Sequence, residues 1–424
     1  MLLIKKVSFI LLFLSFCFSQ GRMNAFGIGH FYHYQGLNNA MDGITELTPS
    51  FQSDVSLSNP STWHNLKFAY LSLAYSGNEN SEKTSSLSNG YSSLSNAIWV
   101  VPIKSRSSIG FSLSPYLDQR INLIDQDTLS FEAYDSTYAY ARSFDRSGGI
   151  LSFKVSTSYK FNDRLSLGIN YNVLFGSSRQ NESISFGGNP VVQSSRIKYN
   201  GITNDVYIGL SLLKDLRFYA KYTFSMKPLE AAIEKKHLFD DVNGIGYHDY
   251  IPPYYDFPFP DSINASPELR VSNLHDPTGF KLGVHKFLMD RTAFSMEVGR
   301  MKDNANNENP FLQFPMPNWI NSTNSLKVSL LHYPGNFSLR FIDKLNFKGG
   351  VTYYEHLLKF DDEITELGFS IGVGFKFKPI GNQIDLSYYF GNREYSNISG
   401  KEFIQQIQIG ISLADLWFVK RRQK

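Results

Sequence analysis

The chain is short of charge and almost without cysteine. Lys, Arg, Asp and Glu make up 19% of its 424 residues, against about 25% in ordinary soluble domains. Net charge is only +3, so the basic footprint of a nucleic-acid binder is missing. The single cysteine, Cys17, excludes an internal disulfide. No apolar run reaches the roughly 20 residues of a spanning helix, which excludes a polytopic helical membrane protein. What is plentiful is aromatic: 35 Phe and 25 Tyr, with 31 Gly. That much aromatic and β-branched material excludes disorder and leaves an all-β protein.

Met1 to Ser19 starts with Lys5-Lys6 and continues as an apolar stretch, Val7 to Phe18. This is the layout of a secretory signal peptide. Cys17-Phe18-Ser19 supplies the small residues of a cleavage site, making Gln20 the first mature residue. A lipid anchor on Cys17 is disfavoured by the bulk of Phe16. Export without a disulfide calls for another means of holding the fold, and a closed barrel in lipid is one.

Several segments alternate apolar and polar residues with period two, the pattern of strands with one greasy face. The cleanest is Leu367, Phe369, Ile371, Val373, Phe375, Phe377. Another runs Leu151 to Phe161, turns at Asn162-Asp163-Arg164, and returns as Leu165 to Phe175. Each is about 11 residues, enough for a tilted strand to cross a bilayer. The pattern predicts strands at Leu66–Gly77, Ser95–Lys104, Ser107–Leu117, Gly148–Phe161, Leu165–Gly176, Thr203–Leu213 and Leu216–Met226. It continues at Thr278–Leu288, Thr292–Lys302, Thr323–Tyr333, Leu345–His356, Thr365–Lys378, Gln383–Tyr395 and Phe403–Leu413. Tight links at 105–106, 162–164, 214–215, 289–291 and 379–382 alternate with long ones at 78–94, 118–147, 177–202, 227–277 and 303–322. Only Pro334–Lys344 is long on the short side. Short periplasmic turns and long external loops mark an outer-membrane barrel; a secreted β-sandwich has no reason to segregate loop lengths this way. The expected fold is therefore an all-β transmembrane antiparallel barrel of about 14 strands with an N-terminal plug. Residues 1–19 form the leader, 20–65 the plug, 66–413 the barrel and 414–424 a basic tail behind the girdle residues Trp417 and Phe418.

The plug segment is rich in aromatics and histidine, and Phe26, His30, Phe31, His33 and Tyr34 are its candidate ligand-contacting residues. It closes on Asn59-Pro60-Ser61. On these residues the chain resembles the outer-membrane hydrophobic-compound transporters, the family of the long-chain fatty acid transporter and the toluene channel. That family carries an Asn-Pro-Ala triplet near the junction of plug and barrel; here the third residue is Ser61. Asp415-Leu416-Trp417-Phe418 and the basic residues after it look like the Bacteroidetes-type branch. The resemblance implies passive uptake of a small hydrophobic ligand, without enzyme chemistry or cofactor. A sister branch of the same fold serves protein secretion and implies a secretion partner protein instead. Lipid is the surroundings in both cases, and nucleic acid is not a partner.

Pro115 interrupts the third strand. Proline cannot donate to a ladder, so a local gap in the wall is expected there, or else a frayed end above the bilayer. The resemblance implies a lateral exit at such a kink. In the longest loop, Pro228 to His237 is expected as a short helix opened by Pro228. Tyr254, Tyr255, Phe257 and Phe259, stiffened by neighbouring prolines, are candidates for a landing site or a lid. Lys154, Lys160, Arg217, Lys221, Lys281, His285, Glu297, Lys327, Lys348, Lys376 and Lys378 are expected to face the lumen. There they could draw in a carboxylate or form internal ion pairs. Gly368-Phe369-Ser370-Ile371-Gly372 matches a nucleophile elbow literally, but it lies within a strand rather than at a strand-to-helix turn. The histidines are scattered, and His30 and His33 lack an acidic neighbour for metal binding. No phosphate loop or dinucleotide fingerprint occurs.

Overall fold

The computed structural model describes residues 22–34, 36–37, 40–82, 88–104, 106–124, 129–133, 136–186, 189–241, 243, 249–251, 253–257, 269–305, 318–335, 340–360, 362–377, 382–396 and 401–415. The expected leader and the girdle residues Trp417 and Phe418 lie outside them. Fourteen long strands form the wall: β1 (Ala69–Glu82), β2 (Ser88–Lys104), β3 (Ser107–Asp118), β4 (Ser136–Lys160), β5 (Leu165–Phe186), β6 (Asn189–Ser211) and β7 (Leu216–Asp240). They continue as β8 (Pro277–Met289), β9 (Thr292–Asp303), β10 (Ile320–His332), β11 (Leu345–Leu358), β12 (Glu363–Lys376), β13 (Gln383–Tyr395) and β14 (Lys401–Asp415). Each pairs antiparallel with its sequence neighbours, and β1 pairs with β14 from Ala69↔Asp415 to Glu82↔Glu402. The sheet is closed.

The side-chain pattern is that of a protein turned inside out. Leu367, Phe369, Ile371 and Val373 on β12 face outward, Ile371 being 62% exposed, while Glu366 and Ser370 are buried inside. Leu326 and Leu330 on β10 are likewise exposed, and Lys327 and Ser329 buried. Outward aromatics stack across strands, as in Trp99–Phe111 and Phe369–Phe390. A greasy exterior around a polar lumen is stable only in lipid.

The sequence reading was too short at the external end. Strands β4, β5, β6 and β7 have 25, 22, 23 and 25 residues, about twice a bilayer crossing. The expected loop 177–202 is thus a continued β5–β6 hairpin, and 78–94 and 118–147 are largely strand as well. The helix expected at Pro228–His237 is part of β7, paired with β6 through register shifts around Lys227 and Glu230. Cross-strand pairing overrode a helical propensity that rested on local pattern alone. Above the lipid belt the outward residues turn polar, as in the Lys198–Glu234 ion pair at 2.6 Å. The link between β10 and β11 remains long and carries a short 3-10 turn, Ile342–Lys344.

Residues 22–65 fill the lumen as a hatch, starting near the external end and finishing at the periplasmic end. Its lower part is tied to itself through Asp42. This buried carboxylate accepts from Ser50 Oγ, Leu57 N, Ser58 N and Ser58 Oγ. Barrel glycines let it approach the wall. A Cβ on Gly110 would lie 2.5 Å from the Trp63 ring, and one on Gly168 would lie 2.5 Å from Ser61 N and 2.8 Å from Pro60. Replacing Gly168 with Leu should therefore push the hatch off β5 at a cost of about 1–3 kcal/mol. Hydrogen exchange at residues 56–65 should rise about tenfold or more, by the factor of ten per about 1.4 kcal/mol, with strand amides unchanged. Unaltered hatch exchange would refute this packing.

Candidate functional site: the hatch and the gap beside Pro115

The hatch is held by hydrogen bonds from almost every side of the barrel. Asn59 caps a 3-10 turn, Pro60–Asn65, with Pro60 in its first position. Its Oδ1 accepts from Ser61 N at 3.0 Å and from Ser61 Oγ at 2.8 Å, and its Nδ2 donates to the Leu47 carbonyl at 2.6 Å. Serine as the third member of the triplet adds a bond that alanine would lack.

Further up, buried charges meet the hatch backbone. Glu297 on β9 accepts from Leu47 N at 2.7 Å and Thr48 N at 2.9 Å. Lys281 pairs with Glu46. Lys327 donates to the Ile44 carbonyl at 3.2 Å, and Lys348 to the Met41 carbonyl. Gln406 and Gln408 on β14 donate to the Leu37 carbonyl at 2.9 and 2.6 Å. Arg146 on β4 reaches the Asn24 carbonyl at 2.8 Å. Four of the lumenal residues named from sequence, Lys281, Glu297, Lys327 and Lys348, thus serve as fasteners. Lys154 and Lys221 remain around Asp205, with Lys221 at 3.4 Å. His285 bonds Ser295 at 2.8 Å. Lys160 pairs with Asp163 at the periplasmic turn, Lys376 is half-buried near that end, and Lys378 lies outside the described residues.

The candidate ligand residues of the hatch are packed into the core. Phe26 joins Met23, Ile320, Leu358, Ile364 and Tyr395. Phe31 and Tyr34 join Ile28, Leu117, Ile150 and Trp319 in the largest apolar cluster. The cavity touching Phe26 and Phe31 holds only about 10 Å³, less than a water needs. His30 is buried, and His33 lies 4.1 Å from the Tyr34 ring, centroid to centroid.

At Pro115 the wall opens. The β2–β3 ladder ends at Ala97↔Leu113, while β2 stays paired with β1 up to Ser88. Strand β3 stays with β4 but slips register between Pro115 and Leu117. Its end bends inward, where Leu117 and Asp118 pair with Phe31 and His30 of the hatch. Behind the gap lies a cavity of about 130 Å³, touched by His33, Ser95, Asn96, Pro115 and Tyr116 on one side and by Lys154, Asn170, Asn172, Asp205 and Lys221 on the other. Six buried polar atoms on its lining find no protein partner among the described residues: His33 Nε2, Ser95 Oγ, Asn96 Oδ1, Ser152 Oγ, Asn170 Oδ1 and Asn172 Oδ1. The lining is mixed, because Leu47, Leu57, Trp63, Ile98 and Met301 share it with these polar groups.

Two buried networks had no signal in the sequence, because pairing between strands brings their members together. Asp303 accepts from His275 Nδ1–H at 2.6 Å, which leaves Nε2 to accept the Tyr116 hydroxyl at 2.8 Å. Arg393 lies between Glu366 at 2.6 Å and Glu402 at 3.1 Å, with Tyr389 and Tyr395 donating to the same carboxylates. Of the proposed landing loop, Tyr254 and Tyr255 pair with Ile251 and Tyr250 in a small hairpin, Phe257 is 64% exposed, and Phe259 is outside the described residues. Ser370 sits in mid-strand on β12, and no cluster of three metal-ligating side chains occurs among the described residues.

The family model named BamG matches residues 3–424. The chain belongs to the BamG family. No curated protein matches it significantly. Solved structures of similar fold include the CymD monoaromatic hydrocarbon channel, 12% identical over 92% of this chain and 98% of that one, TM-score 0.54. A Pseudomonas aeruginosa FadL homologue is 12% identical over 92% and 98%, TM-score 0.53. The Pseudomonas putida toluene transporter TodX is 11% identical over 89% and 100%, TM-score 0.52. At these identities the chain shares with them the barrel fold.

Removing Arg393 should leave two buried carboxylates uncompensated. Arg393→Met is expected to cost the barrel about 3–5 kcal/mol, seen as a lower unfolding temperature by heat-modified gel mobility. An unchanged midpoint would show that the network carries no such weight.

Proposed function

We propose that this barrel is a non-enzymatic component of an outer-membrane protein secretion or assembly machine, working with its lumen closed. The observation that carries this reading is the sealed interior. The hatch is fastened on almost every side, the apolar cluster at Phe26, Phe31 and Tyr34 is packed, and the chamber behind Pro115 carries Lys154, Asp205 and Lys221 on a lining that is only partly apolar. A hydrocarbon entering that chamber would strip water from Lys154, Asp205, Lys221 and several amides with nothing to replace it, which is costly. The tall β4–β7 wall and the external loops offer a partner protein a surface beyond the membrane.

The second reading is passive uptake of small hydrophobic compounds, such as long-chain fatty acids or hydrocarbons. The gap beside Pro115 favours it, because an apolar ligand would leave sideways into lipid rather than downward into water. Phe257 and its neighbours would be the landing site, and a shift of the hatch would open the path.

Mass spectrometry on protein purified gently from its native outer membrane, reading small molecules and proteins together, separates the two. The expected result is a stoichiometric protein partner and an empty barrel. A stoichiometric apolar compound, lost when Phe31 and Tyr34 are changed to Asp, would overturn the assembly reading in favour of uptake.

A further inference from the structure

A second cavity opens at the periplasmic mouth, and its chemistry differs from that of the lumen. It encloses about 290 Å³ between the β4–β5 and β6–β7 turns, bounded on the hatch side by residues including Thr62 and His64. Four cations reach it, Lys160, Arg164, Lys214 and Arg217, against one carboxylate, Asp163. Asp163 is already paired with Lys160 at 2.8 Å and is almost fully exposed. Arg217 lies over the Phe287 ring. No bond or ion pair to the side chains of Arg164 or Lys214 is found among the described residues.

The histidine of this cavity is neutral and adds no charge to it. His64 Nδ1 lies 2.8 Å from the Ser61 carbonyl. Burial first, and then the neighbouring Lys160 and Arg217, hold its pKa down to about 4.

The height of the cavity narrows the choice of anion. Phe161, Leu212 and Leu213 on the same two turns point outward and are exposed, Leu213 by 67%. Leu213 also lines the cavity. Large apolar residues beside Arg and Lys at the end of the greasy belt mark the level of the lipid headgroups. Guanidinium and ammonium donors together suit a phosphate group, the planar fork of Arg holding two oxygens.

We propose that this cavity binds the phosphate group of an anionic phospholipid of the inner leaflet, bridging the two barrel turns to the hatch. The proposal is independent of the function read above, since either kind of barrel would sit in the same leaflet. A bound headgroup would neutralise Arg164 and Lys214 and fasten the periplasmic end of the hatch to the membrane.

The test is native mass spectrometry of the full mature chain in neutral detergent with phosphatidylglycerol or phosphatidylcholine added. Phosphatidylglycerol should be retained about tenfold better. The double variant Arg164→Gln, Lys214→Gln should reduce retention to the phosphatidylcholine level. The control Arg340→Gln, Lys344→Gln, on the β10–β11 link, should keep it. Heat-modified gel mobility checks that both variants remain folded. Equal retention by the Arg164/Lys214 variant would overturn the proposal. Displacement of the lipid by millimolar inorganic phosphate would reassign the site to a free anion. Tight binding of a poly-glutamate peptide with no lipid preference would overturn it in favour of an acidic protein partner.

Discussion

A strand in hydrocarbon cannot leave its backbone N–H and C=O groups unpaired, and most of this structure follows from that constraint. It forces the β1–β14 pairing that closes the wall. Closure in lipid puts apolar side chains outside and leaves the inner face to polar ones. A polar inner face must in turn be satisfied, by water or by protein. Here protein does much of it, because residues 22–65 bring carbonyls and amides to the lumenal charges. Lys327, Lys348, Gln406 and Gln408 each spend a donor on a hatch carbonyl.

The exception to closure is therefore informative. Between β2 and β3 the ladder stops at Ala97↔Leu113, two residues before Pro115, which keeps its pairing with β4 but not with β2. The loss is partly made good on the inner side, where His30 and Phe31 pair with the end of β3. The hatch thus replaces a missing neighbour strand, and the gap and the hatch are one structural unit. That unit encloses a chamber of mixed lining, in which buried Lys154, Asp205 and Lys221 would have to be desolvated by a hydrocarbon cargo.

Much of the fold was legible in the sequence. Period-two alternation places the membrane-crossing part of each strand, because lipid imposes the same contrast on every residue there. Above the lipid belt the contrast fades, so residues 177–202 read as loop although they form a hairpin. Pro228–His237 read as helix because a ten-residue pattern carries no knowledge of its cross-strand partner. Pro115 was legible, since proline has only a few places in a sheet. The capping role of Asn59 was not read from the sequence, where Asn59-Pro60-Ser61 stood only as the triplet at the plug–barrel junction. The partners of Glu297, Arg393 and His275 were not, because a buried ion pair depends on contacts more than a hundred residues distant or on register across a barrel. Aromatic richness at Phe26 to Tyr34 suggested a ligand pocket; the structure places these rings in a packed core, which uses the same residue types.

The central claim is that the hatch closes the lumen. The most direct measurement is single-channel conductance of the full mature chain in a planar bilayer, compared with Glu297→Ala, which removes the acceptor for Leu47 N and Thr48 N. The account predicts no steady conductance from the native chain and intermittent openings from the variant. A steady, porin-like conductance from the native chain would contradict it.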